Sequence, residues 1–420
     1  MATLLEIQNR RIKAIVEHAY TTVPHYRQVM DEAGLRPHDI RTANDLAVLP
    51  FLTGSDLARD PLRFRSRSYS DLNTVTLQSS GTSGHSKRIA YDHAALFIAL
   101  AHGHRQRIVL GRILGKTFGY REMDVVRSAG SSAILRNFYD AYSWTPKRID
   151  LRRRMLYAEE SLEEGIAQVN AFKPDVIRGY ATYIGAIFRR AHERNLPLSA
   201  PRIIAYGSDR LGDFDRELIE SKFGVRVIST YQAVEALRIA FQCELAQGFH
   251  VSLDDVAVRV VDARGNPVGP GETGEIVISN LVNRATVLLN YKLGDMATVA
   301  SSACTCGRTL PGLLRIDGRS DDLVVLADGR VVHSLVALQG LRAVPGIVQL
   351  QLVQEETRRF SLRAVCSDQL DWQQASRDFT GVLRRLFGDD ITLDLERVEA
   401  IAPEPGGKVR AVISRCLPAR

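Results

Sequence analysis

The feature that most constrains the fold is an alternation of short apolar strands with longer helical patterns between residues 161 and 229. The strand-like segments are rich in Val and Ile, and the segments between them repeat apolar residues at helical spacing. Such alternation is typical of βαβ units, which build a parallel sheet covered by helices. We therefore predict an α/β fold with mostly parallel sheets. The predicted helices are 161–172, 181–194 and 213–223, and the strands are 176–177, 202–205 and 225–229.

The pattern changes after residue 256. Two strands, 256–261 and 274–279, flank a turn rich in Gly, Pro and Asn, which predicts a β-hairpin in a β-rich subdomain. The last hundred residues combine strands with a helix at 372–387 and are typical of a small α+β domain. We predict two domains, residues 1–320 and 321–420, with the boundary close to Arg319.

Charge and apolar content exclude several classes of protein. The 420 residues carry a net charge of +7, but Lys and Arg are scattered without interleaved aromatic residues, which favours small anionic ligands over nucleic acid. No apolar run approaches the roughly 20 residues needed to cross a bilayer, and the first residues lack the apolar centre of a signal peptide. The five cysteines are an odd number, so a complete disulfide set is not expected. We predict a cytoplasmic protein.

A loop of Gly, Ser and Thr lies between a predicted strand at 74–78 and a second strand that begins at Arg88. Its glycines let successive backbone N–H groups point inward, and its hydroxyls and Lys87 add donors and a positive charge. This composition suits a polyphosphate, although it also fits a flexible connector and is not the Walker pattern. The candidate ligands are Ser79, Ser80, Gly81, Thr82, Ser83, Gly84 and Lys87. A long helix is predicted to follow at 93–110.

Four more charged residues stand at positions suited to nucleotide chemistry. Glu235 follows a strand, where it could hold Mg²⁺ on phosphates or simply start a helix. Asp295 follows a Gly turn that suits ribose hydroxyls or is a plain turn, and Asp321 lies in a polar segment at the predicted boundary. Lys408 is on a loop of Gly and Pro that is either functional or a mobile tail.

Cysteine and histidine spacing indicates a metal site. Cys243, His250, Cys304 and Cys306 together form a set that can bind Zn²⁺ tetrahedrally, although the one-residue gap between the last two is tighter than usual. Four protein ligands would make the site structural rather than catalytic. The alternative is a group of buried thiols beside a hydrogen-bonded histidine.

The order of five stretches resembles the adenylate-forming superfamily, which includes acyl-CoA synthetases and non-ribosomal adenylation domains, and in particular its phenylacetate-CoA ligase-like branch. The stretches are 77–87, 230–235, 291–295, 315–322 and 403–408. A Cys-x-Cys-Gly-Arg element at 304–308 also matches the branch, and the resemblance extends from about Arg11 to Val412. Some members of this branch hold structural zinc in a similar Cys and His set, and a homodimer is common among them.

The resemblance implies a role for each matching position. Residues 79–87 would wrap the β- and γ-phosphates of ATP, Glu235 would bind Mg²⁺, and Asp295 with Arg319 would bind the ribose. Lys87, Glu235 and Lys408 would be catalytic, and Asp321 would be the hinge of a mobile C-terminal lid. Three further residues would contribute to the nucleotide site, namely Gly207, Ser208 and Tyr231. Residues 180–184 and the residues near Tyr231 would lie beside the acyl pocket.

The implied reaction has two steps. A small carboxylic acid would attack ATP to give an acyl-adenylate and pyrophosphate, and the acyl group would then pass to coenzyme A or to the phosphopantetheine of a carrier protein. Gln232 stands where the family has glycine, and Val234 where it has a hydroxyl residue. These departures keep two alternatives open, namely nucleotidyl transfer to a non-thiol acceptor and a nucleotide-binding homologue without turnover.

Overall fold

The fold was obtained as a computed structural model. It describes residues 2–78, 87–128, 130–142, 152–207, 209–319, 323–327, 331–333, 340–341, 344–368, 370–402 and 411–416. The helices are α1 (Ala2–Thr22), α2 (Pro24–Glu32), α3 (Gly54–Arg59), α4 (His93–His102), α5 (His104–Leu114), α6 (Ser131–Tyr142), α7 (Leu162–Phe172), α8 (Ala181–Glu193), α9 (Asp213–Lys222) and α10 (Trp372–Phe387). Short 3₁₀ helices span Pro37–Asp39, Asp45–Val48, Pro61–Phe64 and Asp71–Asn73.

The strands form four described sheets. The first ten are β1 (Thr74–Gln78), β2 (Arg88–Asp92), β3 (Glu122–Val126), β4 (Arg153–Tyr157), β5 (Val176–Gly179), β6 (Ile203–Tyr206), β7 (Arg226–Tyr231), β8 (Ala240–Gln242), β9 (Phe249–Val251) and β10 (Val256–Val261). The others are β11 (Thr273–Asn280), β12 (Tyr291–Val299), β13 (Gly312–Arg319), β14 (Leu323–Val325), β15 (Val331–His333), β16 (Ile347–Glu356), β17 (Arg359–Cys366), β18 (Thr392–Arg397) and β19 (Val412–Ser414).

The largest sheet has eleven strands in the order β10-β11-β12-β13-β9-β8-β7-β6-β5-β3-β4. The five strands from β7 to β4 run parallel to one another, as the alternation with helices predicts. From β7 to β10 the neighbours are antiparallel and include the predicted hairpin β10–β11. The predicted α/β fold with parallel portions and a β-rich subdomain is therefore confirmed.

The loop at 79–86 lies between two strands, as predicted, and the structure shows that these strands pair antiparallel. β1 pairs with β2 so that Gln78 lies opposite Arg88, and the loop residues between them are outside the described part of the chain. The helix that follows β2 differs from the prediction of one helix over 93–110, because it breaks at Gly103 into α4 and α5. An added Cβ at Gly103 would lie 3.0 Å from the Arg238 guanidinium carbon, so the break lies against that side chain.

The N-terminal helices α1 and α2 pack on the antiparallel half of the large sheet. Their buried apolar residues share one core with strands β10 to β12. The fully buried Tyr26 joins the two parts, because its hydroxyl donates to the Val287 carbonyl at 3.0 Å and accepts from the Leu289 N–H at 2.9 Å. This packing fixes the chain just before Tyr291, where β12 begins.

Residues 324–412 have an apolar core of their own. Helix α10 packs on the four-stranded sheet β18-β17-β16-β19, burying Phe379 and Leu383 against Phe360 and Leu362. This part contacts the remainder through a smaller cluster, in which Phe214 of α9 packs near the C-terminal sheet. A separate core fits the predicted two-domain division, but the boundary at 320/321 stays a prediction since residues 320–322 lie outside the described chain.

The helices of the described residues include none with the length and apolar character required to cross a membrane.

Candidate active site

Three buried side chains meet immediately after the predicted phosphate loop. Lys87 Nζ donates to Glu235 Oε1 at 2.7 Å and to the Tyr291 hydroxyl at 3.0 Å. The Tyr291 hydroxyl in turn donates to Glu235 Oε1 at 3.1 Å. Lys87 precedes β2, Glu235 follows β7 and Tyr291 begins β12, so three separate elements supply this cluster. We call these three residues the Lys87 cluster.

The environment keeps the Glu235 carboxylate ionised. Burial by itself raises the pKa of Glu235, but the positive charge of Lys87 and the hydrogen bonds from Lys87 and Tyr291 bring the pKa below its ordinary value. Gly54, the first residue of α3, leaves space for the cluster. A Cβ there would lie 3.3 Å from Lys87 Nζ and 3.5 Å from the Tyr291 hydroxyl.

The backbone around Glu235 is held in place by hydrogen bonds from two other strands. The Tyr91 hydroxyl of β2 donates to the Val234 carbonyl at 2.7 Å, and Asn280 Nδ2 of β11 donates to the Glu235 carbonyl at 3.0 Å. The structure therefore fixes the carboxylate through its own main chain as well as through Lys87. Val234, the departure from the family's hydroxyl residue, contributes its backbone to this arrangement.

The second acidic residue is also tied to the end of β7. The Tyr231 hydroxyl donates to Asp295 Oδ2 at 2.6 Å. Asp295 follows Gly294, which has a φ of 81°, a backbone conformation that favours glycine. In the β12–β13 pairing Asp295 lies opposite Arg319, as expected if the two residues act together.

Gly207 lies where a side chain could not fit. An added Cβ would be 2.2 Å from Thr230 Oγ1 and 2.9 Å from Gln232 Nε2. Gln232 Nε2 donates to Thr230 Oγ1 at 2.8 Å, so the glutamine that replaces the family glycine folds back on its own strand. Asp209, two residues after Gly207, accepts from the N–H groups of Ala181 and Thr182 at 2.6 and 2.9 Å and caps α8.

The structure brings the predicted metal ligands together. The ligand atoms of Cys243, His250, Cys304 and Cys306 all lie within 4.8 Å of one another. The Cys243 and Cys304 sulfurs are 3.7 Å apart, and Cys306 Sγ is 3.4 Å from His250 Nε2. Edges of this length are those of a tetrahedron with metal–ligand bonds of about 2.0–2.3 Å, so the set fits Zn²⁺.

The surroundings of the four ligands suit a closed site. The N–H groups of Leu245 and Arg308 point at the Cys243 and Cys306 sulfurs at 3.4 and 3.5 Å. Such donors stabilise thiolates, which are the form that binds metal. Cys243 is buried and His250 is 3% exposed, whereas Cys304 and Cys306 are half-buried.

The remaining predicted site residues cannot be placed. Lys408 and Asp321 lie outside the described chain, and Arg319 is described by its backbone alone. The same applies to the loop residues Ser79, Ser80, Gly81, Thr82, Ser83 and Gly84 and to Ser208, which also lie outside it. Their roles therefore stay predictions.

Tyr291 was missed as a site residue by sequence reasoning, although it begins the stretch that ends at Asp295. Its contact with Lys87 spans 204 residues, so only the folded chain reveals it. Arg238 was missed as well. It lines a cavity beside Gln232, together with His102 and Arg105.

Known proteins resemble this chain over most of its length. Phenylacetate-coenzyme A ligase of Thermus thermophilus is 27% identical over 361 residues, covering 82% of this chain and 76% of that protein. Protein CapK of Staphylococcus aureus is 24% identical over 422 residues, covering 98% of this chain and 89% of that protein. Residues 324–415 match the family described as the CapK C-terminal domain.

Solved structures show the same fold. The 2-hydroxyisobutyryl-CoA ligase in its postadenylation state superposes with a TM-score of 0.77 at 18% identity, covering 97% of this chain and 89% of that one. The same ligase in its thioesterification state gives a TM-score of 0.64. These likenesses support the adenylate-forming superfamily and its phenylacetate-CoA ligase-like branch. The resemblance inferred from the five sequence stretches is thereby confirmed.

Proposed function

We propose that the chain is an ATP-dependent carboxylic acid ligase that forms an acyl-adenylate and then an acyl thioester. The observation that carries this proposal is the buried Lys87 cluster, whose lysine directly follows the predicted phosphate loop in the sequence. Phenylacetate-coenzyme A ligases of Thermus thermophilus and Escherichia coli, at 27% and 26% identity, support the reaction class. The proposed substrate is a small carboxylic acid. Coenzyme A is the proposed acceptor, because these relatives are coenzyme A ligases.

The residues would act by positioning and by charge. Attack of a carboxylate on the α-phosphorus needs the triphosphate held in line and its negative charge neutralised. Lys87 supplies a buried positive charge, and the ionised Glu235 offers the oxygen ligand that Mg²⁺ prefers. Mg²⁺, when bound with ATP, would neutralise the charge of the phosphates.

The ribose would lie against Asp295. A carboxylate beside a tight glycine turn can accept hydrogen bonds from both ribose hydroxyls, and the Tyr231 hydroxyl fixes its orientation. Arg319 lies opposite Asp295 in the sheet and is proposed to help. Gly207 and Ser208 would border the base.

The C-terminal part would move between the two steps. Its separate core and its small contact with Phe214 suit a domain that can change its packing. Lys408 would bring a positive charge to the phosphates during adenylation, and a rotation about Asp321 would remove it. The higher TM-score with the postadenylation conformer supports a domain arrangement close to that state.

The Cys and His set is proposed to hold a structural zinc ion. It would join the β8–β9 hairpin to the segment before β13, since Cys243 follows β8 and His250 lies in β9, whereas Cys304 and Cys306 belong to that segment. A cytoplasmic location and a homodimer also stay predictions.

The deciding experiment is ATP–pyrophosphate exchange with a panel of carboxylic acids, followed by mass analysis of products formed with coenzyme A or with a phosphopantetheinylated carrier protein. Acid-dependent exchange and an acyl thioester are expected. The Lys408→Ala variant should lose exchange but still convert supplied acyl-adenylate into thioester. Tight ATP binding without exchange for any acid would favour the homologue without turnover, and a nucleotidylated product would favour transfer to a non-thiol acceptor.

A further inference from the structure

A cavity lies on the face of the large sheet that carries α4 and α5. Its lining includes Thr230, Gln232, Arg238 and Phe241 from the end of β7 and the start of β8. Successive residues of a strand point to opposite faces, so Tyr231 points toward Asp295 while Thr230 lines the cavity. The cavity therefore adjoins the proposed nucleotide site across the end of one strand.

The segment between Gln232 and Arg238 connects the two sites. It turns tightly, with the Leu237 N–H bonded to the Ala233 carbonyl at 2.6 Å and a φ of 57° at Leu237. This turn carries Glu235 into the Lys87 cluster and Arg238 into the cavity.

Two basic side chains at the cavity wall already have protein carboxylates as partners. Arg105 makes a bidentate contact with Asp254, with its two nitrogens 2.8 and 2.7 Å from the two carboxylate oxygens. His102 contacts Asp255, which also accepts from Arg11 at 2.7 Å. These carboxylates are matched by arginines, so this group does not call for a metal ion or an anionic ligand.

Arg238 differs from these neighbours. Its Nε donates to the Ala99 carbonyl at 3.0 Å, and no carboxylate among the described residues is paired with its guanidinium. The nearby Arg178 and Arg107 are paired with Glu122, at 2.7 and 3.9 Å, and do not neutralise it.

Burial disfavours the positive charge of Arg238. Burial lowers the pKa of Arg238 to about 10, and the positive charge of Arg178 adds to the shift, but the side chain is still cationic at neutral pH. Gly103 opposite it leaves room for the planar group, because any Cβ would lie 3.0 Å from Arg238 Nη2. An arginine with free donors in a partly dehydrated cavity is stabilised when a ligand carboxylate occupies it.

We propose that Arg238 binds a second carboxylate of the acid substrate, so that the preferred substrates are dicarboxylic acids activated at the end remote from Arg238. This inference rests on the proposed ligase function and names its substrate class. The planar guanidinium and a carboxylate make two parallel hydrogen bonds, which would fix the orientation of the acid as well as its charge. A monocarboxylic acid of equal length would leave the arginine without a partner.

The test compares linear dicarboxylic acids from four to eight carbons with the matching monocarboxylic acids in ATP–pyrophosphate exchange. We expect the wild type to favour a diacid by kcat/KM. Arg238→Met should lower kcat/KM for that diacid by about 10- to 100-fold and raise the relative rate of the monoacid, as loss of a charged hydrogen bond predicts. Arg238→Lys should recover part of the preference. Arg107→Met, a change at a nearby arginine that does not line the cavity, should leave the preference ratio unchanged.

The ratio of kcat/KM for the diacid to kcat/KM for the monoacid separates a role of Arg238 in substrate recognition from a structural role. A variant that is merely misfolded would lose activity with both acids to the same extent. Exchange with monoacids at equal rates in wild type and Arg238→Met, without a preference for any diacid, would overturn the inference and leave the ligase function standing. Calorimetry of diacid binding gives an independent readout. Diacid binding that depends on Arg238, without exchange, would support the cavity inference and count against the ligase function. If neither Arg238-dependent binding nor exchange were observed, the cavity inference and the ligase function would both be refuted.

Discussion

Lys87 and Glu235 are separated by 148 residues of sequence and form a buried ion pair of 2.7 Å. Lys87 is 7% exposed and Glu235 is 4% exposed. A pair this deeply buried is stable only when both partners are present, because a single buried charge would have neither water nor an opposite charge to stabilise it. The Tyr291 hydroxyl contacts both partners, so the three side chains depend on one another.

Lys87→Met should therefore impair both folding and adenylation. Removing one partner of a buried pair costs about 3–5 kcal/mol. We expect the free energy of unfolding in urea to fall by about that amount and ATP–pyrophosphate exchange to be lost. Lys116→Met is the matched control, since Lys116 pairs with Asp175 at 3.3 Å but is 42% exposed. Its cost should stay below about 1 kcal/mol, and equal costs for the two variants would contradict the buried-pair interpretation.

The same pair predicts a dependence of stability on pH. The pKa of Glu235 is lowered in the folded state, so the stabilisation is present above the ordinary carboxyl pKa of about 4.3 and is lost as the pH falls through the folded value. Unfolding measured between pH 7 and pH 3 should show a steeper loss in the wild type than in Lys87→Met. If the stability of the two proteins fell equally with decreasing pH, the ionisation of Glu235 would not depend on Lys87.

Gly54→Ala should weaken activity without unfolding the protein. The added Cβ would lie 3.3 Å from Lys87 Nζ, which must shift by a few tenths of an ångström. We expect a several-fold loss of exchange and little change in thermal stability. Gly381→Ala in α10 is the control, because a Cβ there meets nothing within 4 Å and alanine favours a helix interior by about 0.5–1 kcal/mol. Full activity of Gly54→Ala would mean that the lysine can reposition freely.

Tyr231→Phe should raise the KM for ATP. The change removes the 2.6 Å hydrogen bond to Asp295 but keeps the ring, so the carboxylate loses its fixed orientation toward the ribose. A hydrogen bond to a charged group contributes about 1.5–3 kcal/mol, which predicts a KM increase of about tenfold or more. Tyr20→Phe, which loses a 2.8 Å hydrogen bond to Asp31 Oδ1 outside the site, is the control. Equal KM values for both variants would argue against the ribose role of Asp295.

Purified protein should contain one zinc ion per chain, measured by elemental mass spectrometry. Cys306→Ser should lose that ion and unfold at a lower temperature, because the four ligands would hold the β8–β9 hairpin against the segment before β13. Cys416→Ser changes a cysteine outside the cluster and should keep the ion. Protein that carries no zinc when purified without chelators would exclude the site.

Much of the fold follows from local sequence patterns. The helix 372–387 was predicted with the bounds it has, because its apolar spacing is regular and Asp371 caps it through the N–H groups of Gln373 and Gln374. The hairpins β1–β2 and β10–β11 follow from turn residues between apolar strands. Helix α6 and strand β4 were missed, since their short apolar patterns are interrupted by polar residues.

The sequence predicted the site residues whose chemical type indicates their role. It did not predict the residues whose role depends on contacts with distant parts of the chain. The four predicted zinc ligands converge as their spacing indicates. Arg238 gives no signal of its own in the sequence, because its isolation from carboxylates is a property of the folded cavity. The break at Gly103 is likewise explained by the arginine packed against it, 135 residues further along the chain.

Strand β12 carries both Tyr291, which belongs to the Lys87 cluster, and Asp295, which is held by Tyr231. Four residues of strand span at most about 13 Å. This short segment of β12, which includes an irregularity of pairing and Gly294 at positive φ, thus sets the separation between the triphosphate end and the sugar end of the proposed nucleotide site. A single-residue insertion or deletion within β12 would change that separation and disturb both ends together, so length variation in this family should be absent between these two positions and concentrated in the connecting loops.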